Sequence, residues 1–130
     1  MIVDSSAIVA VLLRQPGYEP VLEQLARATA AGAGAPTLAE TGIVLAARLG
    51  VAGKTLLARF VQESGLVVVP FGDDHWGAAV DAFLRYGKGR HPAALNFGDC
   101  LTYAVVRLAD EPLLCVGDDF AKTDLHVVGL

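Results

Sequence analysis

The sequence opens with Met1-Ile2-Val3-Asp4-Ser5-Ser6, followed by the apolar run Ala7-Ile8-Val9-Ala10-Val11-Leu12-Leu13. Three apolar residues that lead into an acidic residue and two serines predict a short buried strand, a polar turn and a helix. In open α/β sheets, ligands bind outside the carboxyl ends of the strands. We therefore expect Asp4 to reach such an edge. It lies there either as a metal ligand or only as a helix cap, a role that Ser5 or Ser6 can also fill.

Length and composition indicate one folded domain, residues 1–130. The 130 residues are 54% hydrophobic and 18% charged, which excludes a disordered protein. The chain has no apolar run long enough to span a membrane and no signal-peptide pattern at its start, so we expect a cytoplasmic protein without a membrane anchor. Cys100 and Cys115 lack metal-ligand spacing and are expected to be buried free thiols. The net charge of −4 argues against nucleic-acid binding by bulk charge alone, but a nuclease with clustered carboxylates remains compatible with it.

Strand-like and helix-like patterns alternate along the rest of the chain, which predicts a three-layer α/β/α fold around a mostly parallel sheet. Helices are expected over 18–31 and over 54–64. Between them, a helix is expected to start with Thr37 as its cap and Glu40 at its N3 position and to end at Gly50. Two later helices are expected, one from Asp73 or Asp74 to about Tyr86 and one from an Asn96 cap through Leu108. The runs 66–69 and 113–116 are typical of strands buried on both faces, whereas 30–36 and 126–128 are weaker strand candidates.

Acidic residues stand at the ends of these elements, among apolar or small neighbours. Asp4 ends the first strand, Glu40 and Asp99 begin helices, and Asp118 and Asp119 follow the last buried strand. Each alone has an ordinary explanation as a cap, a helix-dipole partner or a turn residue. Together they bring carboxylates into one crevice, where their repulsion requires a counter-ion. Oxygen ligands without His or Cys predict Mg²⁺, with Mn²⁺ as the alternative.

Four motifs carry a family resemblance, and they span essentially the whole chain. They are Ile2-Val3-Asp4-Ser5-Ser6-Ala7, Leu38-Ala39-Glu40-Thr41, Asn96-Phe97-Gly98-Asp99-Cys100 and Leu113-Leu114-Cys115-Val116-Gly117-Asp118-Asp119-Phe120. In this order they resemble the motifs of PIN-domain ribonucleases and, more narrowly, of the VapC toxins of bacterial toxin–antitoxin pairs. The resemblance implies a PIN-like fold and cleavage of RNA to 5′-phosphate and 3′-hydroxyl ends.

The resemblance also implies a role for each site residue. Asp4 and Asp99 are the expected primary metal ligands, and Ser6 is expected to help position water. Glu40 and a fourth carboxylate hold a second ion or orient waters, with Glu40 as general base as the alternative. Either Asp118 or Asp119 fills the fourth position, with a slight preference for Asp118, and one bound ion is as compatible as two.

A basic segment lies between positions 85 and 91. Its charged residues, separated by Gly87 and Gly89, either contact RNA phosphates or belong to a solvated loop; they are Arg85, Lys88, Arg90 and His91. Tyr86 and Phe97 are candidates for base stacking or for the core. A core position is expected for Trp76, which has helical spacing with Val80 and Phe83.

The high apolar content also predicts a surface that associates with a partner. The apolar helical faces Val21/Leu25 and Leu56/Phe60 lie in the first half of the chain. The resemblance implies that a groove between such helices receives a cognate VapB-type antitoxin and that the toxin is a homodimer. A signalling receiver domain is excluded because the acidic pair stands at the wrong end of the chain. The remaining alternative is a non-catalytic or housekeeping PIN-like RNA-binding module.

Overall fold

The computed structural model describes all 130 residues and shows four short strands among six helices. The strands are β1 (Ile2–Val3), β2 (Gly32–Gly34), β3 (Val67–Val69) and β4 (Leu113–Leu114). The helices are α1 (Ser5–Leu12), α2 (Tyr18–Arg27), α3 (Ala35–Leu49), α4 (Val51–Ser64), α5 (Asp73–Tyr86) and α6 (Phe97–Ala109), and a 3₁₀ turn spans Phe120–Lys122. The strands form one parallel sheet in the order β3-β2-β1-β4. This confirms the predicted architecture.

The two faces of the sheet carry separate halves of the core. Ile2 and Leu113 pack with α5 and α6, whereas Val3 and Leu114 pack with α1, α3 and α4. This division follows because successive residues of a strand point to opposite faces. Helices therefore cover both faces, and all four strands deliver their carboxyl ends to one edge. No helix is both long and apolar enough to cross a membrane.

The predicted start of α3 is wrong. The helix begins at Ala35, with Gly34 as its N-cap and Pro36 in its first turn, where the missing N–H of proline has no cost. Thr37 therefore lies inside the helix and caps nothing, and Glu40 is in the second turn. The shift follows from β2, which runs directly into α3 and fixes where the helix can begin.

Other boundaries are partly right. The weak candidate 30–36 contains a true strand, β2, because Gly32 pairs with both β1 and β3. Helix α2 ends at Arg27, before the predicted end at 31, and α4 begins at Val51, before the predicted start at 54. Helix α5 begins at Asp73, the first of the two predicted starting residues, Asp73 and Asp74, and the predicted start of α6 after Asn96 is confirmed.

Two burial predictions are also wrong. The run 66–69 is not buried on both faces, because β3 is the edge strand and leaves Val67 59% and Val68 47% exposed. Trp76 is 61% exposed, and Val80 and Phe83, which share its face of the helix, are exposed as well. Helix α5 instead buries Ala79, Ala82 and Tyr86, so Tyr86 is a core residue and not an exposed stacking platform, while Trp76 faces solvent. Beside β4, the outer strand on the side opposite β3, residues 126–128 do not form a strand and contribute only one bridge, between Val127 and Leu113.

Candidate active site

Asp4 lies at the carboxyl end of β1, at the edge of the sheet where it was expected. It is the N-cap of α1, and its carboxylate accepts hydrogen bonds from the Ser6 backbone N–H (3.1 Å) and the Ser6 hydroxyl (2.7 Å). The cap is therefore Asp4 itself and not Ser5 or Ser6. Asp4 is only 4% exposed, so its charge depends on contacts that the protein supplies.

A buried threonine completes the surroundings of Asp4. Thr102, in α6, donates a hydrogen bond from its hydroxyl to Asp4 Oδ1 (2.9 Å). The Ser6 hydroxyl, which donates to Asp4 Oδ2, accepts in turn from the Val116 N–H (3.0 Å) just after β4. A carboxylate has about four acceptor sites, and three are used here. The sequence offered no signal for Thr102.

Asp99 lies in the first turn of α6, where it forms a reciprocal cap with Asn96. The Asp99 N–H donates to Asn96 Oδ1 (2.9 Å), and the Asn96 N–H donates to Asp99 Oδ2 (3.1 Å). Burial raises the pKa of Asp99 to about 6, against the lowering effect of the Asn96 hydrogen bond. The negative charges of Asp4, Asp119 and Glu40 also raise this pKa. Three of the predicted carboxylates are thus near enough to Asp99 to raise its pKa in the folded chain.

Glu40 reaches the same region from α3. Its carboxylate lies against Gly98, so closely that a Cβ at that position would overlap the Glu40 oxygen Oε2. Glu40, Gly98 and Phe97 line one depression of about 510 Å³, and Phe97 is 81% exposed at its rim. Gly98 is thus part of the site because it leaves room for Glu40, a function that sequence analysis missed.

The fourth acidic position lies in the turn after β4, which passes through Gly117 at a φ of +100°. Both Asp118 and Asp119 are exposed. Asp119 is among the charges that raise the pKa of Asp99, and Asp118 is not. The electrostatic effect on Asp99 therefore favours Asp119, the reverse of the slight preference drawn from the sequence.

Two free thiols lie near the site. Cys100 and Cys115 are both buried and unpaired, as predicted. Burial raises the pKa of Cys115 to about 12, and the charges of Asp4, Asp99 and Asp119 act in the same direction. Asp4 and Asp119 thus raise the pKa of both Cys115 and Asp99, and the Cys115 thiol stays protonated at neutral pH.

The donor chemistry of this region fits a hard divalent cation. The acidic side chains supply only oxygen, and the raised pKa of Asp99 reflects in part like charges that a cation would neutralise. No three His, Cys, Asp or Glu side chains approach one another closely enough to form a complete ligand set. Mg²⁺ is compatible with such an open arrangement, because it commonly keeps several waters and binds only one or two carboxylates.

Two residues of the basic segment make hydrogen bonds with nearby backbone groups, although most of the segment is exposed. Arg90 donates to the Leu84 carbonyl (3.1 Å) and lies over the ring of Phe83. His91 accepts from the Ala93 N–H (3.0 Å) through Nδ1. A third member, Lys88, is exposed, makes no ion pair and lines a depression beside the start of α6.

Arg85, by contrast, is engaged elsewhere. It forms an ion pair with Asp124 (3.3 Å), a residue that also accepts a hydrogen bond from the Tyr103 hydroxyl (2.6 Å). Burial acts to raise the pKa of Asp124, but the Tyr103 hydrogen bond and the Arg107 and Arg85 guanidinium groups lower it overall. Arg85 is thus the member of the basic segment with an acidic partner of its own.

The chain is similar to known proteins in both sequence and fold. A sequence model of the PIN domain matches residues 1–125. The chain is 50% identical to Ribonuclease VapC36 of Mycobacterium tuberculosis over 131 residues, which cover 100% of this chain and 94% of that protein. Its fold is similar to the crystal structure of VapC20 of Mycobacterium tuberculosis, with a TM-score of 0.80 and 19% identity over 98% of this chain and 97% of that chain. A toxin–antitoxin complex from Klebsiella pneumoniae gives a TM-score of 0.73 at 16% identity, over 98% and 95% of the two chains.

Proposed function

The chain belongs to the PIN-domain family, among its VapC ribonucleases, and from this premise we propose that it is a metal-dependent endoribonuclease that acts as the toxin of a toxin–antitoxin pair. The observation that carries the proposal is the placement of three carboxylates at the carboxyl ends of a parallel sheet: Asp4 follows β1, Asp99 lies in the first turn of α6, and Glu40 lies against Gly98 of the same helix. The full-length identity of 50% to a VapC ribonuclease supports RNA as the substrate.

The acidic residues would hold Mg²⁺ or Mn²⁺ and the attacking water. Asp4 and Asp99 are the proposed primary ligands. Glu40 and Asp119 would bind a second ion or order waters, and Glu40 could alternatively accept a proton. When bound, the cation supplies Lewis-acid stabilisation of the phosphodiester. Ser6, whose hydroxyl bonds Asp4 and the Val116 N–H, fixes Asp4 and retains only limited capacity to hold a water.

RNA contacts are proposed for the exposed rim of the site. Lys88 supplies an unpaired positive charge close to the start of α6, and Arg90 and His91 extend the same basic segment. Phe97 presents an exposed ring beside Glu40, suited to stacking on a base. Arg85 contributes less in this proposal, because its charge is shared with an acidic partner.

A groove between α1, α2 and α4 is the proposed antitoxin site. Its volume is about 630 Å³, and Leu25, Leu56 and Phe60 line it, whereas Val21 is fully buried in the core. The fold similarity to a toxin–antitoxin complex agrees with a VapB-type partner. We also propose a homodimer, since exposed apolar side chains such as Ile43 (71%) remain outside this groove.

The proposal is tested by incubating the purified protein with total RNA and mapping the cut ends. Cleavage is expected with Mg²⁺ or Mn²⁺, with 5′-phosphate and 3′-hydroxyl products, and is expected to stop with EDTA or in Asp4→Asn. Asp81→Asn is the matched control, because Asp81 is an exposed carboxylate of α5 that does not act on Asp99. Equal cleavage by Asp4→Asn and Asp81→Asn, or indifference to EDTA, refutes the metal-nuclease mechanism. RNA binding without cleavage indicates a non-catalytic RNA-binding module.

A further inference from the structure

A chain of buried hydroxyl groups connects Asp4 to the two helices that carry Glu40 and Asp99. Thr102 donates to Asp4 Oδ1 (2.9 Å), and the Thr37 and Thr102 hydroxyl oxygens lie 3.2 Å apart. Both threonines are buried, with exposures of 3% for Thr37 and 1% for Thr102. We propose that Thr102, supported by Thr37, is a positioning residue that sets the placement of Asp4 relative to the other site carboxylates. This inference rests on the proposed function.

The direction of the hydrogen bonds follows from the proton count. An ionised carboxylate accepts hydrogen bonds and cannot donate them, so Thr102 must donate its only hydroxyl proton to Asp4. Thr37 must then donate to Thr102. The chain therefore runs in one direction, from α3 to α6 to the end of β1, and it has no proton to spare. A valine at either position has nearly the same shape but removes a required donor.

The sequence spacing explains how the hydrogen bonds from Thr37 to Thr102 to Asp4 influence the site. Thr37 is three residues before Glu40 on α3, and Thr102 is three residues after Asp99 on α6. Residues three apart on a helix are neighbours on its surface. Each hydroxyl is thus anchored one turn from a site carboxylate, and both are tied to Asp4.

Ser6 makes the corresponding connection through the second oxygen of Asp4. Its hydroxyl donates to Asp4 Oδ2 and accepts from the Val116 N–H, two residues before Asp118 in the segment that leads to the fourth acidic position. Loss of the Thr102 hydroxyl therefore leaves Oδ1 without its protein donor, while Oδ2 keeps both of its bonds. The expected result is a carboxylate that is still present and still attached but is less well oriented.

Thr41 shows what a purely local hydroxyl does in α3. It is as buried as Thr102, at 0% exposure, but its hydroxyl donates to the Thr37 carbonyl (2.7 Å) within the same helix. Such a bond back to the preceding turn satisfies the hydroxyl without fixing any other element. Thr41 is therefore a matched control for the loss of a buried threonine hydroxyl that does not touch Asp4.

The first experiment compares Thr102→Val, Thr102→Ser and Thr41→Val in Mn²⁺ binding and RNA cleavage. Groups that orient a metal ligand typically contribute about 10- to 100-fold to metal affinity or activity. Thr102→Val is expected to weaken Mn²⁺ binding and to lower kcat within that range, with little change in KM, and Thr102→Ser is expected to restore both. If Thr102→Val binds Mn²⁺ and cleaves RNA as Thr41→Val does, the inference is overturned, while a loss in Asp4→Asn leaves the proposed function standing.

The second experiment needs neither metal nor RNA. A double-mutant cycle of Thr102→Val with Asp4→Ala, measured by denaturant unfolding in EDTA, is expected to show a coupling of at least about fivefold in the unfolding equilibrium constant. The cycle of Thr41→Val with Asp4→Ala is expected to be additive within about twofold. Equal coupling in the two cycles contradicts the inference. If the wild type cleaves no RNA, the proposed function fails, and this cycle together with Mn²⁺ affinity still decides whether Thr102 positions Asp4.

Discussion

The contact between Gly98 and Glu40 leads to a prediction that separates activity from stability. In Gly98→Ala the new Cβ would overlap Glu40 Oε2 and come within 3.0 Å of its Cδ atom, so the carboxylate must move. A misplacement of about 1 Å at a reacting centre costs about 100-fold in rate. Alanine is also about 0.5–1 kcal/mol better than glycine within a helix. We therefore expect kcat to fall by about two orders of magnitude while the protein becomes no less stable.

The assay measures RNA cleavage at saturating metal together with the thermal unfolding midpoint. Gly77→Ala is the matched control, because Gly77 is a helical glycine of α5 with nothing within 4 Å of the added Cβ. It is expected to leave cleavage unchanged. If Gly98→Ala cleaves as well as Gly77→Ala, the Glu40 carboxylate has no required position and the prediction is refuted. If the thermal unfolding midpoint of Gly98→Ala is lower than that of the wild type, the loss of activity comes from general destabilisation, and the prediction is also refuted.

Three further predictions concern the rest of the site and the fold. Asp119→Asn should lower cleavage by about 10-fold or more and Asp118→Asn by no more than about twofold; the reverse order would restore the preference drawn from the sequence. Tyr103→Phe should destabilise the protein by about 1.5 kcal/mol, the lower end for a hydrogen bond to a charged group, because Asp124 is partly exposed. The pKa of Asp124 in the folded protein is lowered from 3.8, so the stabilisation by its carboxylate is present above pH 3.8 and is lost as the pH falls through the lower folded pKa. The free energy of unfolding of Tyr103→Phe, measured in urea, should therefore change less with pH in the acid range than that of the wild type. Phe97→Leu should raise KM by about fivefold or more and Phe97→Trp should not, if the ring stacks on a base; equal KM values would assign Phe97 another role.

The sequence predicts the order of elements well where one local signal is sufficient. Asn96 followed by Asp99 is a capping pattern, and the structure contains both of its hydrogen bonds. Gly50 marks the end of α3 as expected, and α4 ends at Ser64, where its predicted range also ends. In these cases the interaction that defines the boundary lies within a few residues of the chain, so tertiary contacts have little opportunity to override it.

Prediction fails where tertiary pairing decides the structure. Residues 32–34 are Gly-Ala-Gly, which have little strand propensity, and they form a strand because β1 and β3 lie on either side. Conversely, the valines of β3 have high propensity but lie at an edge. Thr102 shows the same limit in the site, since a threonine among apolar helix residues gives no indication that its hydroxyl meets an aspartate 98 positions earlier.

The two ends of the site differ in how firmly the fold determines them, and the difference has a physical origin. Asp4 is 4% exposed, and a buried carboxylate must have its hydrogen bonds supplied by the protein, which restricts it to one geometry. Those bonds involve Ser6 and Thr102, so the position of Asp4 is determined by several elements at once. Asp118 and Asp119 are exposed, and water can satisfy either in many orientations. The turn therefore has no obligatory partner that fixes one of the two as the fourth carboxylate, which is why the comparison of Asp118→Asn with Asp119→Asn is needed to assign it.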